Sequence, residues 1–272
     1  MRRWLLLLIL AGCAEQPESA AGPPRRVVSL LPAWTEIIVA LDAGDRIVAC
    51  SEYGEPDRDV PRVDWRDPRA AETIARLDPD LVLRQRSRAE TDPFGAALNA
   101  VGVRVRALPS ETIADVREAI TGIGVELGRG EEATALLAKF DAELDAVRAA
   151  VKLGRKPRVL FIYNRSAGVI AQVGAAGPGS FIDELITLVG GVNALADAGQ
   201  AYVNLDLERL LRLEPDVVID NLPAEEDPAA VWAKLKGMKA PVRFVRENRM
   251  LIPGPRLPSA ASALAELIHG DA

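Results

Sequence analysis

One stretch of this chain is written twice. Residues 72–83 (ETIARLDPDLVL) return as residues 208–219 (ERLLRLEPDVVI), identical at six of twelve positions and offset by 136 residues. Two further landmarks keep the order: RVVSL at 26–30 is answered by RVLFI at 158–162, and VRV at 103–105 by VRFV at 242–245. A period this long is far beyond the roughly 20 to 50 residues of solenoid units, so it predicts two similar lobes. Within each lobe the pattern reads strand, helix, strand, helix. The run from Val27 to Leu31 is short and apolar, as in a buried strand, and Pro32 can open the helix that follows because its missing amide needs no partner. The repeated segment reads as a helix closed at Pro79 or Pro215, then a strand at Leu81–Leu83 or Val217–Ile219. Thr112 with Asp115, and Ser180 with Asp183, have the spacing of capping boxes. The expectation is an α/β fold of two Rossmann-like lobes, each with a central parallel sheet, joined by one long helix and with the ligand cleft between the lobes.

Between the lobes, Ala133, Leu136, Leu137, Phe140, Leu144, Val147 and Val151 recur at helical spacing in a stretch free of Gly and Pro. Residues 131–151 as one helix would reach about 31 Å at about 1.5 Å per residue, a stiff strut between lobes expected at 25–130 and 154–272, with 131–153 as the connection. The opening of the chain reads differently. Arg2 and Arg3 precede an apolar run, Trp4–Leu10, too short to span a bilayer, and LAGC at 10–13 closes it. This resembles a lipoprotein signal, which implies removal of residues 1–12 and lipidation of Cys13. Residues 13–24, rich in proline and without apolar periodicity, read as a tether. Loss of two arginines would take the net charge from −6 to −8.

Composition removes several classes of function. An acidic balance of 39 to 33 gives no field to attract phosphate backbones, so nucleic acid is not an expected partner. One histidine, His269, and two cysteines cannot assemble a zinc site or a histidine-based triad. Once Cys13 is lipidated, Cys50 has no intramolecular partner. The Walker A, nucleophile-elbow and dinucleotide fingerprints are all absent, so no enzyme and no metal or cofactor is expected. The glycine-rich turn at 174–179 (GAAGPG) reads as the entry to the Ser180 helix.

SLLPAWTE at 29–36, the repeated E-x-x-x-x-L-x-P-D, GPGSFIDEL at 177–185 and GGVN at 190–193 together resemble the helical-backbone class of substrate-binding proteins. The resemblance covers about Arg26 to Ile268. It implies an extracytoplasmic, lipid-anchored monomer that serves an ABC importer, its permease and ATPase, for a bulky ligand such as cobalamin, haem or a ferric siderophore. The opening motif and the aromatics look most like the cobalamin branch. Ligands of open α/β sheets bind beyond the carboxyl ends of strands, where Trp34, Tyr53, Trp65, Tyr163 and Tyr202 are expected, with Arg256 on the last loop. Arg256 stands without the acid that the cobalamin branch tends to carry beside it. By motif, Glu72 and Glu208 match the glutamates that pair with permease arginines. Haem, lacking histidine here, would need tyrosinate ligation; a sensory lipoprotein and an α/β enzyme are the rival classes.

Overall fold

The computed structural model describes residues 22–270 except 88, 90, 152–153, 222–226 and 246–247, so the expected signal segment and Cys13 lie outside the described residues. The first sheet contains β1 (Val27–Ser29), β2 (Ile47–Ser51), β3 (Arg62–Val63), β4 (Leu81–Gln85) and β5 (Val105–Leu108). Its helices are α1 (Pro32–Ala40), α2 (Ala70–Arg76), α3 (Pro93–Ala100) and α4 (Ile113–Glu126). Strand order is β3-β2-β1-β4-β5 and every pair is parallel. Winding reverses between β1 and β4, and a sheet of this kind opens a crevice at such a point.

Helix α5 (Gly130–Ala150) carries the chain to the second unit and buries Ala133, Phe140 and Leu144. There follow β6 (Arg158–Arg165), β7 (Gln172–Ala176), α6 (Phe181–Leu188), β8 (Val192–Asn193), β9 (Tyr202–Asp206), α7 (Leu207–Arg212), β10 (Val217–Asn221), α8 (Pro228–Ala233), β11 (Val242–Val245) and α9 (Leu257–His269). The order is β11-β10-β6-β7-β9, with β8 beside the start of β6. Here the expected parallel sheet needs correction. β6 and β7 form a hairpin, so the β6–β7 and β7–β9 pairs are antiparallel while the others are parallel. No helix among the described residues is long and apolar enough to cross a membrane.

The repeated sequence has a local physical reason. Asp78 and Glu214 close α2 and α7 with left-handed backbones, φ 46° and 44°, immediately before Pro79 and Pro215. Two residues on, Asp80 accepts the Arg25 and Arg26 amides (2.7 and 2.9 Å), and Asp216 accepts the Arg158 amide (2.8 Å). The Arg26 guanidinium returns to the Asp78 carbonyl (2.9 Å), and that of Arg158 to the Leu213 carbonyl (3.2 Å). Each copy is a joint tying a helix end to the first strand of its lobe, where orphan carbonyls find donors. Thr112 and Asp115 form a complete capping box. Ser180 accepts from the Asp183 amide, but the Asp183 carboxylate turns to Gly179 N–H (3.3 Å) and Asn193 Nδ2 (2.8 Å), so that box is open.

One apolar cluster runs through both lobes, joining Trp34 of α1, Phe140 and Leu144 of α5, Phe161 of β6, Phe181 of α6 and Leu264 of α9. Satellite clusters cover the outer faces of the two sheets.

Candidate functional site

The crevice between β1 and β4 is a real hollow of about 450 Å³. Leu30 and Leu31 beyond β1 supply apolar surface, Arg84–Ser87 come from the end of β4, and Trp65 and Phe94 form an aromatic corner with ring centroids 6.5 Å apart at 49°. Trp65 stays 48% exposed with the Arg66 guanidinium 5.0 Å over its ring. Phe94 is placed by the start of α3, whose cap Asp92 accepts the Gly95 amide (3.0 Å) and pairs with Arg84. Burial lowers the affinity of that guanidinium for its proton below the usual value, and Asp92 supplies the opposing charge.

Among the described residues, the arginines of this wall have carboxylate partners within the protein. Arg84 meets Asp92, Arg86 lies 3.6 Å from Glu118, and Gln85 Nε2 donates to Glu111 Oε1 (3.1 Å). No group of three or more His, Cys, Asp or Glu able to hold a metal exists among the described residues.

On the second sheet, Tyr163 and Tyr202 meet edge to face, centroids 5.5 Å apart at 83°. The Tyr163 ring rests on Gly174 of the neighbouring strand, where a Cβ would lie 2.8 Å from the ring and push it aside. Burial pushes the Tyr163 phenol above its ordinary pKa. Deeper at the carboxyl ends of β6 and β10, Arg165 and Asp220 form a fully buried pair (2.9 Å), and Trp232 Nε1 donates to the same carboxylate (2.6 Å).

The other expected residues lie elsewhere. Trp34 needs correction: it is 0% exposed, because the first turn of α1 points it into the interlobe core and away from solvent. Tyr53 is 67% exposed beyond β2 and does not line the 450 Å³ cavity. Arg256 already has protein partners and does not line the 450 Å³ cavity. It pairs with Glu36 of α1 and, at 3.5 Å, with Glu55, and the hydrogen bond to Glu36 holds it charged. Arg256, Glu36 and Glu55 line a second hollow of about 370 Å³ against α5. Glu72 and Glu208 stand exposed on α2 and α7, each paired with the arginine one turn on, Arg76 (3.6 Å) and Arg212.

Phe94, Arg84, Gln85 and Glu111 were not singled out from the sequence. Their signal is the strand order, which makes the end of β4 a cleft edge and which no local pattern states.

A profile of the family described as periplasmic binding protein matches residues 27–228. An uncharacterized ABC transporter substrate-binding lipoprotein, YvrC of Bacillus subtilis, is 25% identical over 91% of this chain and 81% of its own. A vitamin B12-binding protein of Vibrio campbellii is 26% identical over 80% of this chain and 78% of its own. Among solved structures, the periplasmic heme-binding protein RhuT of Roseiflexus sp. RS-1 in apo form is 25% identical and superposes with a TM-score of 0.76, over 90% of this chain and 98% of that one.

Proposed function

The chain belongs to the periplasmic binding protein family and acts as the substrate-binding protein of an ABC transporter, not as an enzyme; from that premise we propose that its cargo is cobalamin or a related corrinoid. The observation that carries this reading is the pairing of the described arginines of the cavity wall with carboxylates of the protein. Arg84 and Arg86 already have carboxylate partners, so a ligand is not required to bring negative charge to them. A corrin edge, rich in neutral carboxamides, can exchange hydrogen bonds with Gln85 and Ser87 while its flat face meets Trp65 and Phe94. The vitamin B12-binding relative supports the same assignment.

Haem is the second reading, favoured by the heme-binding structural neighbour and by three tyrosines, Tyr53, Tyr163 and Tyr202. Against it, its propionates would need free cations, and the raised pKa of Tyr163 opposes the tyrosinate that would have to replace histidine. Ferric siderophores are the third. We also assign Glu72 and Glu208 to docking on the permease, and Cys13 to lipid anchoring on the extracytoplasmic side, as the name of the B. subtilis lipoprotein supports.

The test titrates the full-length protein with cyanocobalamin and, separately, haemin, following visible absorption and tryptophan emission. Saturable one-to-one binding of cyanocobalamin alone is the expected result. Binding of haemin alone would overturn the cargo and leave the transport role standing.

A further inference from the structure

The two lobes meet head to head at the first turns of α4 and α6. Ile113 N–H donates to Glu184 Oε2 (2.5 Å), and Phe181 N–H donates to the Glu111 carbonyl (2.6 Å); both bonds cross from one lobe to the other. Helix N-termini carry orphan amides and partial positive charge, so two placed together repel unless carboxylates lie between them. Three do. Asp115 accepts the amides of Glu111 (2.8 Å) and Thr112 (3.0 Å), Asp183 accepts that of Gly179, and Glu184 reaches across to the opposite helix. The segment Glu111–Ile113 therefore has all three of its amides engaged, two inside its own cap and one across the seam. A further connection leads to the cavity, where Glu111 forms part of the wall and accepts from Gln85.

We propose that Glu111 and Glu184 form a positioning clasp that couples occupancy of the β1/β4 cavity to the placement of the second lobe, an inference that rests on reading that cavity as the ligand site. A ligand group that engages Gln85 or the Glu111 carboxylate acts on a residue whose carbonyl already holds the first turn of α6. Ordering one end of Glu111 lowers the entropy cost of ordering the other, so ligand capture and lobe placement reinforce each other. The clasp lies beside Leu144 and Arg148 of α5.

Amide hydrogen exchange on the full-length protein in detergent tests this without knowing the cargo. In ligand-free E184A, exchange is expected to speed up by about tenfold at both Ile113 and Phe181 and to stay unchanged at Val218 in β10. E184Q, which keeps an acceptor oxygen, should recover much of the protection. Unchanged exchange at Phe181 in E184A overturns the clasp. With cyanocobalamin or haemin bound, both amides should slow in the wild type and fail to slow in E111A. Saturable binding of either probe without slowing overturns the coupling and leaves the cargo reading intact. Absence of binding by both sinks the cargo reading, while the ligand-free comparison still decides the clasp.

Discussion

Aromatic side chains here have different fates according to which way one backbone atom points. Trp34 follows β1 closely enough to look like a cleft residue, yet a helix beginning at Pro32 turns it inward, and its removal empties the interlobe core. W34A is expected to cost about 3–5 kcal/mol in urea unfolding, the range for deleting a large buried aromatic side chain. Tyr163 gives a prediction of opposite visibility. Because the fold holds its proton more tightly than the unfolded chain does, its contribution to stability is full below the ordinary phenol range and is lost as pH rises through the raised folded value. Absorbance titration should show a tyrosine phase above the ordinary phenol range, and Y163F should abolish that phase. Trp65 and Tyr202 were singled out by their expected place at strand ends; their ring contacts with Phe94 and Tyr163 were not given by any spacing.

At the scale of elements, the duplicated segment did the most to reveal the fold. Helix end, left-handed residue, proline and aspartate are consecutive in sequence, so the joint they build is local and can be read twice. The helix at Gly130–Ala150 was legible for the same reason, since its apolar period and its lack of glycine and proline are local properties. The β6–β7 hairpin was not, since βα alternation biases the reading towards parallel strands and the turn at Gly168 looks like any loop. Glu72 and Glu208 sit at matching places on α2 and α7 with their carboxylates steadied by Arg76 and Arg212; such exposed pairs contribute little to stability, and their assigned value lies in recognition. Charge reversal to lysine at both positions should leave cyanocobalamin affinity within about twofold. The same double variant should reduce uptake in cells by at least about tenfold, a loss of roughly 1.4 kcal/mol in coupling to the importer. Uptake at the wild-type rate would refute the docking role.

For the whole molecule, the continuous apolar cluster shared by both lobes limits motion, since pulling the lobes apart would expose Phe140, Phe161 and Phe181 to water. Small-angle scattering should therefore show the radius of gyration changing by less than about 1 Å on ligand saturation. Gly254 adds a check on the Arg256–Glu36 contact between the lobes: a Cβ there would lie 3.0 Å from the Glu36 carboxylate, so G254A should disturb that pair and lower stability in urea unfolding by about 1 kcal/mol. The sequence by itself determined the two-lobed α/β plan, the joining helix, the transport family and the exclusion of histidine-based chemistry, because each depends on periodicity, spacing or composition along the chain. Only the tertiary structure decided that Trp34 is core, that Arg256 is spent on Glu36, that β1 and β4 open the cavity, and that Glu111 and Glu184 span the seam. Those outcomes depend on which strands become neighbours and which charges find partners from distant parts of the chain, and long-range pairing leaves no periodic mark in the residues that make it.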